Sequence, residues 1–110
     1  MSESQVLGEF EQLVLLGVLQ CGSDAYGVPV WKELEARTRR GVSVGAVYKT
    51  LDRLEAKGCV ASALGEPTAE RGGRSKRVYR VTASGLRLLR RSLASLARMA
   101  DGLHEVLEPR

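Results

Sequence analysis

The sequence predicts a mainly α-helical chain with one small β-hairpin, an α+β class, ending in a long helix. Three observations carry this expectation. Apolar residues recur at helical spacing in three successive segments before residue 58. Two short stretches, 59–64 and 76–82, flank a segment that holds Pro67 and the Gly72-Gly73 pair. Leucines then recur in heptads through the last 25 residues or so.

The first helix is expected over Glu9 to Gln20, with Phe10, Leu13, Val14, Gly17 and Val18 on one stripe and Leu15, Leu16 and Leu19 widening it. A helix apolar on so much of its circumference lies buried. Turn chemistry at Cys21-Gly22-Ser23-Asp24 ends it, and Ser23 or Asp24 can cap a second helix over Ala25 to Thr38. Val30, Trp31 and Leu34 face inward there, and Pro29 falls in the first turn, where a missing amide donor costs least. The third helix runs from Val44 to Lys57 behind Ser43 as N-cap, and Gly58 stops it. Its apolar stripe is Val44, Val47, Leu51 and Leu54. Its opposite face holds Gly45, Ala46, Tyr48, Lys49, Thr50, Asp52 and Arg53. In the hairpin, Val78, Arg80 and Thr82 face one side, and Arg77, Tyr79 and Val81 the other. Thr82 or Ser84 caps a last helix reaching Leu107, about 37 Å long at 1.5 Å per residue. Leu86, Leu89, Leu93, Leu96, Ala100, Leu103 and Leu107 form its seam, at alternating spacings of 3 and 4. The expected organisation is a loose N-terminus over 1–6, a compact domain over 7–82 and a terminal helix over 83–110.

Composition narrows the function. The chain has 110 residues, one domain's worth, with 44% hydrophobic and 27% charged residues. No apolar run is long enough for a membrane span, and the first residues lack the positive region of a secretory signal. Two cysteines make no disulfide framework, so a cytoplasmic chain with reduced thiols is expected. With one histidine, no phosphate loop and no nucleophile–base pair at meaningful spacing, neither an enzyme nor a metal or other cofactor is expected. Charge is uneven: the chain is −2 up to Glu55 and +6 after it, with eight basic residues and no acid between Arg71 and Arg91. Such a one-sign field fits a polyanionic partner, although a solvated basic face reads the same way.

Three helices, a hairpin and a long helix are the order of a winged helix-turn-helix. In that geometry the third helix enters the major groove of double-stranded DNA, and the hairpin lies on flanking backbone or minor groove. Gly45 and Ala46 let backbone amides approach a phosphate at the helix N-terminus. Tyr48 and Lys49 follow within reach of bases or phosphates, and Ser43 and Arg53 join them as DNA-binding candidates. Arg74, Lys76 and Arg77 can neutralise phosphates, and Gly72 and Gly73 keep the tip thin. The competing readings are an amphipathic core helix, with Tyr48 at the core edge, and a winged helix used only for protein contacts. The leucine seam is too long to bury on a core of this size. A second copy would cover it, with each leucine contributing roughly 1.5–3 kcal/mol against an association cost of about 4–15 kcal/mol.

Several motifs carry a resemblance. They are Leu7-Gly8-Glu9-Phe10-Glu11, Ala25-Tyr26-Gly27, and Ser43-Val44-Gly45-Ala46-Val47-Tyr48 with Leu51, Arg53-Leu54-Glu55 and Gly58. The most specific is Arg71-Gly72-Gly73-Arg74 running into Lys76-Arg77-Val78-Tyr79-Arg80-Val81-Thr82 and Gly85. Together, over about residues 7–90, they resemble the PadR-type transcriptional regulators, in the subgroup with a single C-terminal helix. The resemblance implies a cytoplasmic homodimeric repressor that binds palindromic operator DNA and often answers to a small-molecule effector. It also implies that Tyr48 and Lys49 are recognition-helix residues, that Gly72 to Arg77 form the wing, and that Tyr26 supports the DNA-facing surface. Some members place an aromatic residue of the last helix in an effector pocket, and residues 83–107 here contain none.

Overall fold

The computed structural model describes residues 6–67 and 75–109. The chain runs through α1 (Glu9–Cys21), a 3-10 turn (Gly22–Asp24), α2 (Gly27–Thr38), α3 (Val44–Ala56), β1 (Val60–Pro67), β2 (Ser75–Val81), α4 (Ala83–Ala100) and α5 (His104–Leu107). The fold is mainly helical with a two-stranded antiparallel hairpin, as the periodicities imply. Among the described residues, no helix is long and apolar enough to cross a membrane, and no group of side chains could hold a metal ion.

One core joins all these elements except the 3-10 turn and α5. Val14, Leu15 and Val18 of α1 meet Val30 and Leu34 of α2, and Val47, Leu51 and Leu54 of α3. Val60 and Tyr79 of the hairpin and Leu89 of α4 complete it. Gly17 lets α1 and α2 approach: a Cβ there would sit 2.7 Å from Leu34 Cδ1 and 3.1 Å from Val30 Cγ1. Strand register pairs Val60 with Val81, Ser62 with Tyr79 and Leu64 with Arg77. Tyr79 is the buried side chain of β2, which turns its face of the hairpin toward the core.

Two expectations need correcting. Neither Ser23 nor Asp24 caps α2; both lie in the 3-10 turn, and Tyr26 is the N-cap residue. The reason is tertiary. The Ala25 carbonyl accepts from the Tyr79 N–H at 2.9 Å, so residue 25 is held against the hairpin and cannot begin a helix. The last helix also stops early. It ends at Ala100, and Gly102 takes φ +85°, a left-handed value that favours glycine. Its 18 residues span about 27 Å rather than about 37 Å. Leu103 and Leu107 thus lie beyond the helix, at the start and end of a separate short turn. Leu89 also leaves the expected dimer seam, because it is 2% exposed within its own core.

The start of α4 is tightly specified. Thr82 Oγ1 accepts from the Gly85 N–H at 3.0 Å and donates to the Gly58 carbonyl at 2.7 Å, so one hydroxyl caps α4 and holds the end of α3. Gly85 lies on the Cys59 backbone, and a Cβ there would overlap the Cys59 carbonyl. Gly85→Ala is expected to lower stability by about 1–3 kcal/mol, as overpacking against backbone does. Urea unfolding checks this; an unchanged midpoint would show that α4 can move away freely.

Candidate nucleic-acid interface

The helix-turn-helix joint is built by side chains of α2. The Trp31 indole N–H donates to the Val42 carbonyl, and Glu35 Oε2 accepts from the Val42 N–H at 3.2 Å. These two bonds fix the loop that delivers Ser43. The Ser43 hydroxyl then accepts from the Ala46 N–H at 3.0 Å, capping α3 as its spacing implies. Gly45 is exposed, and a Cβ there would meet nothing within 4 Å, so the fold itself does not demand glycine at this position.

Tyr48 leaves the outer face of α3 and lies across the start of α2. A Cβ on Gly27 would occupy the space of its ring. The ring remains 43% exposed, so it packs α2 against α3 while presenting an edge to solvent. Lys49, the next residue, is exposed as well. The hairpin closes toward this surface. Gly65 lets the Tyr26 hydroxyl sit beside β1, 2.9 Å from where a Cβ would stand, and Lys76 Nζ lies 5.9 Å from the centre of the Tyr26 ring. A cleft of about 140 Å³ results, lined by Tyr26, Gly27, Val28, Pro29, Tyr48, Lys76 and Arg77. Arg77 is held through the wing: its guanidinium donates to Ser62 Oγ at 2.8 Å, and that hydroxyl donates to Glu55 Oε2 of α3, also at 2.8 Å.

Of the site residues expected from sequence, Tyr26, Tyr48, Lys76 and Arg77 meet at one cleft. Ser43 and Gly45 lie at the N-terminus of α3. Gly72, Gly73 and Arg74 lie outside the described residues. Arg53 is turned to another task. Its Nε lies 3.2 Å from Glu11 Oε2, an oxygen that Lys57 Nζ also reaches at 2.8 Å. Glu11 Oε1 accepts from the Gly8 N–H at 2.8 Å and from Lys57 at 3.0 Å. This buried carboxylate ties the start of α1 to the last turns of α3. A stripe counted from apolar residues alone passes over it, although Glu11 stands three, four and seven residues before Val14, Leu15 and Val18, on the buried face of α1. A second signal is its place three residues after Gly8, where a glutamate can reach back to a cap amide. Val28 and Leu64 were also missed; both are large apolar residues exposed near the cleft or on the wing.

Burial, aided by Glu33 and Asp24, pushes the Cys21 thiol above its ordinary value. Burial also pushes the Cys59 thiol up, against an opposing pull from Lys57. Both thiols therefore stay protonated and poorly nucleophilic, in keeping with small apolar fillers rather than sensors.

A half-buried helix-turn-helix joint, a basic antiparallel wing beside the third helix and a protruding terminal helix define a winged-helix regulator. Residues 15–91 match the family described as "Transcriptional regulator PadR-like family", and the chain belongs to that family. The PadR family regulator of Eggerthella lenta DSM 2243 is 30% identical, with a TM-score of 0.65 over 93% of this chain and 88% of that one. The PadR-like regulator of Bacillus cereus strain ATCC 14579 is 21% identical, with a TM-score of 0.71 over 92% and 93% of the two chains. A PadR family regulator from Clostridium difficile R20291 is 19% identical, with a TM-score of 0.63 over 91% and 99%. The last two similarities speak for the fold alone. Among curated proteins no sequence match is found.

The Glu11 anchor has a pH signature. Burial alone would raise its carboxyl, but the Lys57 ammonium, the Gly8 amide and the Arg53 guanidinium outweigh burial and hold it below the ordinary carboxylate value. A folded value below the unfolded one gives stability that is present above about pH 4.3 and is lost as pH falls through the folded value. Glu11→Gln is expected to flatten the acid limb of stability against pH, measured by urea unfolding between about pH 3 and 7. An acid limb of unchanged slope would remove Glu11 from that role.

Proposed function

We propose that this chain is a homodimeric transcriptional repressor that binds inverted-repeat operator DNA with α3 and the wing. The observation that carries this reading is the shared surface of Tyr26, Tyr48, Lys76 and Arg77, with Lys49 exposed alongside. The N-terminus of α3, capped by Ser43 and open at Gly45, offers unhindered backbone amides to a phosphate. Lys49 projects from the helix that would lie in the major groove, and Lys76 and Arg77 would bind the flanking strand. Tyr48 acts as a spacer between α2 and α3 as much as a contact. Arg53 contributes by anchoring α3 through Glu11.

The dimer is supported by the terminal helix. Leu93 and Leu96 of the expected seam are exposed, Leu96 by 60%, and Ala100 lies open with them. Leu86, nearer the core, is half-buried. Met99, 78% exposed, joins this face although the heptad count omits it. An unpaired apolar strip of this length is costly in water, and a second copy removes it. Two-fold symmetry then places the two α3 helices about 34 Å apart, one turn of duplex. A small-molecule effector would act by altering that spacing.

A gel-shift with genomic fragments, including the one upstream of the chain's own gene, tests the reading. Retention of a discrete fragment is expected; failure to retain any DNA would leave a protein-contact module. The dimer doubles a formal charge of +4, so log Kd should rise steeply with log salt, and a flat response would overturn the phosphate contacts. Lys49→Ala is expected to cost about 1–3 kcal/mol and relax sequence preference, whereas equal weakening on all sequences would place Lys49 on phosphate. Leu96→Glu should shift sedimentation toward the single chain without changing helix content by circular dichroism.

A further inference from the structure

The outer face of α3 is bounded on both sides by contacts within the chain. On one side Glu55 Oε2 accepts from Ser62 Oγ of β1 at 2.8 Å, and Tyr48 lines the cleft beside the wing. On the other side Arg53 reaches Glu11 of α1 at 3.2 Å. The buried residues Val47, Thr50, Leu51 and Leu54 define the inner face. At about 100° per residue, Asp52 stands about 150° from the mean direction of those four. It lies about 60° from Glu55 and about 100° from Arg53, between the two flanks. Asp52 is exposed, and Gly45, two turns earlier at nearly the same angle, brings no side chain to compete with it.

We propose that Asp52 is a specificity-determining residue, whose carboxylate accepts from the amino group of a cytosine in the major groove. The inference rests on the DNA-binding function proposed above and deepens it. Its first support is position. A helix laid in the major groove turns the middle of its outer face to the base edges and its flanks to the two phosphate rows. Tyr48 and Lys49 stand about 40° and about 60° to either side of Asp52. The carboxylate is thus aimed where bases are read and away from phosphate.

The second support is charge. The acids of α3 are Asp52 and Glu55. Glu55 is engaged by Ser62, whose hydroxyl also accepts from Arg77 at 2.8 Å. Asp52 makes no ion pair among the described residues. On a surface that carries Lys49, Lys76 and Arg77, an open acid weakens binding to every duplex unless a donor on a base edge meets it. The third support is the chemistry of those edges. An ionised carboxylate only accepts hydrogen bonds. In the major groove guanine and thymine offer acceptors, and adenine sets its amino group beside the acceptor N7. Cytosine offers an amino group with no acceptor on its own edge.

Selection of duplexes from a random-sequence library by the full chain decides it, with wild type, Asp52→Ala and Asp52→Asn run side by side. Wild-type sites are expected to hold a cytosine favoured about tenfold over the other bases. In Asp52→Ala that preference is expected to vanish while the rest of the site is kept. Asp52→Asn is expected to move the preference at that one position to adenine, because a carboxamide donates to N7 and accepts from N6. A role confined to folding would not exchange one base for another, and both variants are expected to keep the wild-type circular dichroism. An unchanged site for Asp52→Ala, or tighter binding to all duplexes alike, would overturn the proposal and leave DNA binding standing. Lost preference at a position held by a base other than cytosine would overturn it too. If wild type enriches no site, both this inference and the proposed function fall.

Discussion

The Glu11 carboxylate holds α1 and α3 at one point, and the aim of α3 depends on it. A charge buried there would be costly alone. It is tolerated because the Gly8 N–H, the Lys57 ammonium and the Arg53 guanidinium supply its hydrogen bonds. An apolar side chain could fill the same space, but it would not fix the angle of the last turns of α3. The polar network gives direction where the surrounding leucines and valines give only cohesion.

The other end of α3 is held by different means. Trp31 and Glu35 grip the Val42 peptide, Ser43 closes the first turn, and the Tyr48 ring rests where Gly27 has no side chain. The helix is thus pinned at both ends, and its exposed polar face lies beside the wing. Arg77, Ser62 and Glu55 link that wing to α3 in turn. The basic groups therefore stand on a braced surface, which lowers the cost of ordering them on a partner.

The opposite pole of the molecule has another character. After Leu89 the chain makes no core contact, and α4 and α5 expose leucine, methionine and valine to solvent. One end is polar, basic and internally satisfied, while the other is apolar and incomplete. Under the function proposed for this member of the PadR-like family, that division would separate contact with nucleic acid from contact with another copy.

Much of this was legible from residue order. The stripe Val44, Val47, Leu51 and Leu54 announced α3; the last three are fully buried and Val44 is half-buried. Ser43 announced its cap, and alternation separated the two faces of β2 without saying which of them turns inward. The heptad pattern runs on through Gly102, but the helix ends at Ala100, about 10 Å short of the length that the pattern implies. The cap of α2 was not legible. It depends on a hydrogen bond between Ala25 and Tyr79, 54 residues apart. Arg53 reads as a DNA-binding candidate because its α3 face is polar; its ion pair with Glu11 follows only from the packing of α1 onto α3. Periodicity and capping are local, set by a turn or two of backbone, so the order of residues alone determined the elements and their apolar faces. Which charges meet, which ring fills which glycine and which leucines remain uncovered are long-range consequences of packing, and the tertiary structure alone decided them.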